Sequence, residues 1–155
     1  MPYHIAQINI ARMVAPLDSP VMRDFVANLD RINALAESAS GFVWRLKGDG
    51  NDATSLRPYE DERIIVNMSV WESIDALFQY AYYSDHTEIF RRRAEWFEKM
   101  TTPAVAIWWI ETGHIPTVVE AKEKLGLIEQ YGPTPQAFTF KQRFTVEEMT
   151  AMPSA

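Results

Sequence analysis

The chain contains no cysteine, and this absence excludes several kinds of chemistry at once. A disulfide framework, a thiolate nucleophile and a thiolate metal site all require that side chain. The three histidines, His4, His86 and His114, fall in different predicted elements and share no ligand spacing, so we predict no metal site. The sequence also lacks a Gly-rich phosphate loop and the motif of a nucleophile elbow.

Long hydrophobic runs and basic clusters are missing as well. No apolar segment approaches membrane-spanning length, and the N-terminal residues lack the basic region and apolar run of a signal peptide. The formal net charge is −6, and Arg91, Arg92 and Arg93 are followed at once by Glu95 and Glu98. A nucleic-acid surface needs a broad positive patch. We therefore expect a soluble cytoplasmic protein that binds neither nucleic acid nor membrane.

What is present fits one globular domain. A chain of 155 residues with 47% hydrophobic residues can bury a real core, and five tryptophans add to it. We predict a single domain over residues 1–145. Residues 146–155 are predicted to form a flexible C-terminal tail, because the composition after Thr145 is typical of a fraying terminus.

Four segments have the alternation or apolar character of β-strands, at residues 4–11, 41–46, 64–71 and 104–111. Asn67 is the polar side chain that we most expect to face a cavity, whereas Gln7 and Asn9 face either water or a cavity. In residues 41–46, Phe42, Trp44 and Leu46 are expected to share a face. The alternation assigns each residue of the first and third strands to one of two faces. In residues 4–11 one face carries Ile5, Gln7 and Asn9, and the other carries Ala6, Ile8 and Ile10. In residues 64–71 one face carries Ile65, Asn67, Ser69 and Trp71, and the other carries Ile64, Val66, Met68 and Val70.

Capping residues mark the helices between these strands. Ser19 as N-cap with Pro20 at the first helical position starts a helix that Gly41 terminates, and Asn33 flanks its apolar stripe. Thr117 followed by Glu120 predicts a capping box and a helix that runs to about residue 131. The residues expected to point inward from that last helix are Val118, Ala121, Leu125 and Ile128.

The stretch 84–100 carries one unusual pattern. At helical spacing, His86, Phe90, Arg93, Phe97 and Met100 fall on one face, so two ionisable groups lie in line with apolar side chains. A charge in an apolar stripe is costly unless it has a partner or a ligand. In the structural interpretation His86 hydrogen-bonds at a helix start and Arg93 forms an ion pair. In the functional interpretation Arg93 holds an anionic or carbonyl group in a pocket and His86 moves a proton.

The order of elements predicts an α+β fold. Strand, helix, strand, strand, helix pair and strand form a split βαβ unit, the ferredoxin-like sandwich, to which a C-terminal helix and an extended arm over residues 133–144 are added. Helices cover one face of such a sheet, yet the strands here are apolar on both faces. We therefore expect a second copy of the chain to cover the other face as a homodimer. Residues 47–58, rich in Gly, Asp and Asn, predict a mobile flap beside a pocket.

Six stretches together form a specific pattern: HIAQINIARM, VANLDRINALAES, GFVWRL, WESIDALFQYAYYSDHTEIFRRRAEWF, IWWIETGHIPTVVEAKEKL and YGPTPQAFTF. They resemble a bacterial family known as domain of unknown function 3291, over nearly the whole chain. The resemblance implies a member of the dimeric α/β-barrel superfamily, and Gly126 departs from the family pattern at a helix position. The positions of this chain that match the family's pattern are Trp71, His86, Arg93, Trp96, Phe97, Trp109, Gly113, Pro116 and Phe138.

The resemblance also implies a pocket between sheet and helices, because that superfamily includes cofactor-free monooxygenases, isomerases, cyclases and haem proteins. Our first hypothesis is an enzyme without a tightly bound cofactor, which performs acid–base or monooxygenase-type chemistry on an aromatic or polyketide-like small molecule. The predicted catalytic residues are His86, Asn67 and Tyr83. The predicted substrate-binding residues are Arg93, Trp109, Trp44, Asn9, Phe90 and Phe97.

Two alternatives to this enzyme stay open. One is a haem-binding protein in which His86 is the axial ligand and Arg93 contacts a propionate. The other is a non-catalytic ligand-binding or structural dimer in which the aromatic side chains simply form the core, since a fold by itself does not establish a function.

Overall fold

The computed structural model describes residues 2–47, 59–83 and 91–151, with the backbone alone for Tyr83. Most of the predicted flap (48–58) and the first part of the predicted stripe (84–90) lie outside the described residues. The elements in chain order are β1 (Tyr3–Met13), a 3₁₀ turn (Pro20–Met22), α1 (Arg23–Ser38), β2 (Phe42–Arg45), β3 (Ile64–Trp71), α2 (Ile74–Tyr83), α3 (Arg93–Trp96), β4 (Phe97–Glu98), β5 (Val105–Glu111), α4 (Val118–Tyr131) and α5 (Val146–Thr150).

β1 is the central strand of a five-stranded antiparallel sheet. β3 pairs with one edge of β1 so that Gln7 lies opposite Ser69, and β5 pairs with the other edge so that Gln7 lies opposite Ile107. β2 extends the sheet beyond β3, and the short β4 pairs with the end of β1. The strand order β2-β3-β1-β5 is that of the split βαβ unit, so the predicted ferredoxin-like α+β fold is confirmed.

The two faces of the sheet carry different helices. We call the face that bears Ile5 and Trp71 the front face; Ala36 of α1 and Leu77 of α2 pack there. We call the opposite face the back face. The predicted alternation of β1 and β3 is confirmed, because register pairs such as Ile5 with Trp71 and Ile8 with Met68 place each set on one side.

The back face is covered by α4 of the same chain, which corrects the expectation that it is open. Ala121, Leu125 and Ile128 of α4 lie in one cluster with Ile8 and Met68 of the sheet. The buried sheet residues of this cluster are at most 5% exposed within the single chain. A second copy is therefore not needed to bury this face, and the homodimer remains a prediction that sedimentation can measure.

A bulge in β2 separates residues that were expected to lie together. Phe42 pairs with Trp71 and packs on the front face, whereas Trp44 pairs with Val70 and joins the back-face cluster. The register shifts between Phe42 and Trp44, which leaves Val43 as the extra, exposed residue. The prediction that Phe42, Trp44 and Leu46 share a face is therefore wrong for Phe42.

The helix expected to continue to Met100 ends at Trp96. Phe97 and Glu98 instead form β4, which pairs with Met13 and Arg12 of β1. Phe97 is extended, with φ −129° and ψ 142°, so it does not continue the face on which Arg93 lies. The backbone hydrogen bonds offered by the free end of β1 override the helical spacing, as tertiary contacts often do with weak propensities.

The C-terminal third begins with a capped helix. Thr117 accepts a hydrogen bond from the Glu120 backbone N–H, and Ala121, Leu125 and Ile128 are buried as predicted. The reciprocal half of the expected capping box is absent from this helix start, because the Glu120 carboxylate binds Trp108 and His114 instead. No helix in the described ranges is both long and apolar enough to span a bilayer.

The arm after α4 returns to the sheet. Phe138 exchanges backbone hydrogen bonds of 2.8 and 2.9 Å with Ile107 and is fully buried. Within the predicted C-terminal tail, residues 146–150 form α5, which begins with a complete capping box between Thr145 and Glu148.

Candidate functional site

The front face divides into three zones along the strands. At one end lies the Trp71 cluster, whose buried members are Ile5, Ala36, Trp71, Leu77, Ile107 and Phe138. At the other end lies the Trp96 cluster, in which Met13, Met22 and Trp96 are buried and Phe25, Ile65 and Phe97 pack around them. Between them the strands present polar side chains. We call this middle zone the amide belt and define it by Gln7, Asn9, Asn67 and Ser69.

The amide belt is held by a chain of hydrogen bonds that crosses from β1 to β3. Gln7 Nε2 donates to Asn67 Oδ1 and to Ser69 Oγ, both at 2.8 Å. Ser69 Oγ also accepts from Trp71 Nε1 at 2.8 Å. Gln7 and Ser69 are 8% and 6% exposed, so these bonds lie in a weakly screened environment and fix the side chains in one arrangement.

Several polar atoms of the amide belt still have hydrogen-bonding capacity. Within the described ranges, the only side-chain bond that Asn67 makes uses its Oδ1, and Asn9 makes none. Both residues are exposed, and the Asn67 Nδ2 donor and the Asn9 carboxamide make no side-chain hydrogen bond in the described ranges. A carboxamide offers two donors and an acceptor, which is a suitable chemistry for orienting an oxygen-bearing ligand.

Asn33 adds a fifth polar side chain from the helix side. In α1, Phe25 packs in the Trp96 cluster and Ala36 packs in the Trp71 cluster, so Asn33 lies along the helix between the two. It is only 9% exposed and makes no side-chain hydrogen bond within the described part of the chain. None of the described unpartnered polar atoms is sealed from solvent, so its carboxamide borders accessible space.

An ion pair between a buried arginine and an exposed glutamate borders the belt at β2. Arg45 is directly opposite Ser69 in the pairing of β2 with β3, and only 5% of its side chain is exposed. Its Nε and Nη2 atoms lie 3.2 and 3.1 Å from Glu37 Oε1 on α1. Glu37 thus places a carboxylate beside the guanidinium, from the helix that also carries Asn33.

Tyr80 of α2 closes the site on the side of the Trp71 cluster. Its ring stacks on Trp71 with centroids 5.1 Å apart, and its hydroxyl donates to the Ile32 carbonyl at 3.2 Å. Burial raises the pKa of Tyr80 well above its ordinary value, and the nearby Arg45 charge only partly opposes this. Burial therefore favours the protonated form of Tyr80, in which the hydroxyl donates to the Ile32 carbonyl.

Residues 4–154 match the family described as Domain of unknown function (DUF3291). The chain belongs to the DUF3291 family. No curated protein matches it. Solved structures of similar fold cover about three quarters of this chain, and at their low identities the likeness concerns the fold alone.

Three of these structures illustrate the likeness. PA3566 from Pseudomonas aeruginosa is 14% identical with a TM-score of 0.48, and the alignment covers 74% of this chain and 98% of that one. Rv0793 from Mycobacterium tuberculosis is 18% identical with a TM-score of 0.46, covering 74% and 99%. A DABB family protein with a ferredoxin-like fold from Mesorhizobium loti is 13% identical with a TM-score of 0.42, covering 74% and 98%.

In this DUF3291 protein, two of the predicted strand residues lie together. Asn9 and Asn67 are opposite each other in the pairing of β1 with β3 and belong to the amide belt. Trp109 is also on the front face, but its Nε1 donates to the Phe144 carbonyl at 2.9 Å, so the indole anchors the C-terminal arm. Trp44 packs on the back face, and the prediction that it lines a space with Asn9 and Asn67 is wrong.

The helix residues predicted for the site are distributed differently from the expected stripe. Arg93 is exposed, and it is Arg92 that packs over the Trp96 ring at 4.7 Å and pairs with Asp24 and Glu95. Phe97 belongs to the Trp96 cluster through β4. His86, Phe90 and the side chain of Tyr83 lie outside the described residues, so their placement stays a prediction.

Three members of the site were not predicted as site residues from the sequence. Gln7 was expected to face either water or a cavity, Ser69 was assigned only to a strand face, and Arg45 was given no role. The available signal was alternation, because Gln7, Asn9, Asn67 and Ser69 are four polar residues at every second position of two strands that pair. Alternation does not show which strands are neighbours, so the pairing of β1 with β3 became visible only in the structure.

A separate open groove of about 500 Å³ lies beyond the Trp96 cluster. It is lined by the loop after β1, by α1 and by the turn before β3, and it contains no residue of the amide belt. The charged side chains there, Asp18, Glu62 and Arg63, are of both signs and exposed. Within the described ranges no group of three or more His, Asp or Glu could hold a metal ion.

Proposed function

We propose that this protein is an enzyme without a tightly bound cofactor, which binds a small aromatic ketone or phenol between the front face and α1 and performs acid–base chemistry on it. The observation that supports this proposal is the amide belt itself. A band of carboxamides with unused donors lies between two apolar clusters, and hydrogen bonds hold Gln7 and Asn67 within it. Sites for small molecules typically combine apolar walls with a few oriented polar groups.

Acid–base chemistry on such a substrate develops negative charge on an oxygen atom. Removing a proton next to a carbonyl, or from a phenol, places negative charge on an oxygen. Fixed N–H donors close to that oxygen stabilise the charge at little reorganisation cost, and removing one such donor from an enzyme typically costs about 10²–10³-fold in rate. Asn67, which is held by Gln7, and the adjacent Asn9 are the candidate donors.

The proposal needs a group that carries the proton. Tyr80 donates its hydroxyl hydrogen bond to the Ile32 carbonyl, and we do not propose it for this role. Histidine is a common proton carrier in enzymes, and His86, predicted from the sequence, is the residue that we propose for this role. Monooxygenase-type chemistry would begin with the same proton removal. The substrate anion formed in this way would then react directly with molecular oxygen.

The proposal is tested first by ligand binding, with phenols, aromatic ketones and quinones screened by thermal shift and tryptophan fluorescence. Asn9→Ala is the informative variant, because Asn9 makes no side-chain hydrogen bond within the described ranges and its loss leaves the fold intact. Its control is Gln130→Ala, which removes an exposed carboxamide from α4 behind the sheet. We expect a ligand whose affinity falls at least about tenfold in Asn9→Ala and is unchanged in Gln130→Ala.

A second measurement separates an enzyme from a binding protein. With the ligand found in the screen, turnover is followed in wild type, Asn67→Ala and His86→Gln. We expect both variants to lose turnover by about 10²-fold or more, with His86→Gln retaining affinity. Binding without turnover in wild type would show a non-catalytic ligand-binding protein, and a Soret band after addition of haem would favour the haem hypothesis.

A further inference from the structure

We infer that the amide belt recognises an aromatic lactam, a ring compound in which an N–H group lies directly beside the carbonyl. Gln7 Oε1 accepts from that N–H, and Asn33 donates to the carbonyl from α1. This inference rests on the proposed function and specifies the carbonyl compound for the same site. A lactam such as 2-quinolone is the carbonyl tautomer of a hydroxylated heteroaromatic ring, so it belongs with the ketones and phenols that we propose as ligands.

Gln7 lies in the middle of β1, where neighbouring strands cover both edges. Both N–H hydrogens of its carboxamide are used, because Nε2 donates to Asn67 Oδ1 and to Ser69 Oγ. Its Oε1 has no hydrogen-bond partner among the described residues, although Gln7 is only 8% exposed. None of the described unpartnered polar atoms is sealed from solvent, so an opening reaches Oε1 in the middle of the front face.

The belt therefore offers an acceptor next to a donor. Gln7 Oε1 can only accept, and the neighbouring Asn67 keeps its Nδ2 hydrogens, because its one side-chain bond in the described ranges uses Oδ1. The N–H and C=O of a lactam lie on one edge of the ring and cannot bond to each other, so both are presented outwards. A hydroxyl beside a ketone bonds internally to that ketone, which withdraws its hydrogen from Gln7.

Asn33 supplies a contact from the helix side. It is 9% exposed and makes no side-chain hydrogen bond in the part of the chain that the structure describes. Ala36, one turn further along α1, packs in the Trp71 cluster, so Asn33 points towards the same face of the sheet. A lactam oxygen has two lone pairs and can accept from Asn67 and from Asn33 together. Such a ligand relieves the desolvation of a buried carboxamide that has no partner.

The experiment compares two bicyclic probes of nearly equal shape, 2-quinolone and coumarin. Coumarin keeps the fused benzene ring and the carbonyl but has a ring oxygen in place of the N–H. Dissociation constants are measured by titration calorimetry with the full chain at neutral pH, where both probes are uncharged. We expect wild type to bind 2-quinolone at least about tenfold more tightly, because coumarin places an oxygen lone pair against Gln7 Oε1.

Gln7→Met is the variant that tests the acceptor. Methionine has a similar length, and the substitution leaves no buried donor behind, since Ser69 Oγ still accepts from Trp71 and Asn67 is exposed. We expect 2-quinolone to weaken at least about tenfold and coumarin to change by less than about twofold, so that the two affinities converge. The comparison of the probes in wild type needs no variant, so it decides the acceptor role even if Gln7→Met unfolds.

Asn33→Leu tests the contact from the helix. Because both probes carry the carbonyl, both should weaken at least about tenfold and by similar factors, while the thermal midpoint is unchanged or raised. The matched control is Asn28→Leu in the same helix, where Nδ2 already donates to the Asp24 carbonyl at 2.7 Å. This control should change neither affinity. Unchanged affinities in Asn33→Leu would overturn the inference as stated.

The outcomes separate this inference from the proposed function. Wild type that binds coumarin as tightly as 2-quinolone, or Gln7→Met that preserves the difference, overturns the inference; a ketone or phenol that responds to Asn9→Ala still supports the proposed function. Failure of both probes to bind at millimolar concentration, as expected if water alone occupies the opening, also overturns the inference. If, in addition, no ligand of the wider screen responds to Asn9→Ala, the proposed function falls with it.

Discussion

Ser69 is the side chain on which the arrangement of the amide belt depends, and its replacement by alanine tests the fold and the site together. Ser69 Oγ accepts from both Gln7 Nε2 and Trp71 Nε1 at 2.8 Å, and Ser69 is 6% exposed. Ser69→Ala removes the acceptor and leaves both donors behind. Trp71 is 0% exposed, so its indole N–H has no access to water as a replacement.

The expected loss of stability follows from these two donors. A buried donor left without an acceptor costs about 1–3 kcal/mol, and Gln7 retains its bond to Asn67 and borders accessible space. We therefore assign most of the loss to Trp71 and expect a decrease of about 2–4 kcal/mol in the free energy of unfolding. For a chain of this length that corresponds to a fall in the thermal midpoint of roughly 6–12 °C.

The assay is urea unfolding followed by circular dichroism, with Ser38→Ala as the control because Ser38 Oγ is exposed and donates to the Ala34 carbonyl. The control should change stability by no more than about 0.5 kcal/mol. A double-mutant cycle with Trp71→Phe should give a coupling energy of about 1–2 kcal/mol between the two side chains. A loss below about 0.5 kcal/mol in Ser69→Ala, with an unchanged m-value, would refute the proposed network.

The remaining predictions concern the surroundings of the site. Burial tends to raise the pKa of Glu120, but hydrogen bonds from His114 and from the Trp108 indole outweigh burial and hold that pKa below its ordinary value of 4.5. The Glu120 carboxylate therefore stabilises the fold above pH 4.5, and this contribution is lost as the pH falls through its folded-state pKa. In Glu120→Gln the free energy of unfolding should fall less steeply with decreasing pH than in wild type. The same pH dependence in both proteins would contradict this. Gly41→Ala should destabilise the fold by about 1–3 kcal/mol in urea unfolding, because φ is +84° there and an added Cβ would lie 2.5 Å from Ala76 Cβ. Gly126→Ala, within α4 and with open space around it, should raise stability by about 0.5–1 kcal/mol, and a loss at this position would show that α4 is not a regular helix there.

The parts of the fold that follow local periodicity were predictable. The two-residue alternation of β1 and β3 placed Asn9 and Asn67 on defined faces, and the structure pairs these residues directly. The cap at Thr117 and the apolar stripe of α4 likewise predicted which side of that helix is buried. Each of these features depends on neighbours within one or two turns of the chain, which is the range over which sequence patterns act.

The parts that failed depend on partners far away in the chain. Phe97 has the spacing of a helix residue but pairs with Met13 of β1, because the end of that strand offers free backbone groups. Glu120 has the position of a capping-box residue but meets the Trp108 indole, which the sheet brings to it. Neither competing partner is visible from local spacing.

The amino-acid sequence by itself determined the ferredoxin-like order of elements, the two-faced character of the sheet and the presence of polar side chains at alternate strand positions. Only the tertiary structure decided that α4 covers the back face, that Gln7 and Ser69 join Asn67 in one network, and that Arg45 pairs with Glu37. The physical reason is that alternation and capping are local, whereas a hydrogen bond or ion pair between elements requires strand register and helix packing, which come from the burial of the whole chain.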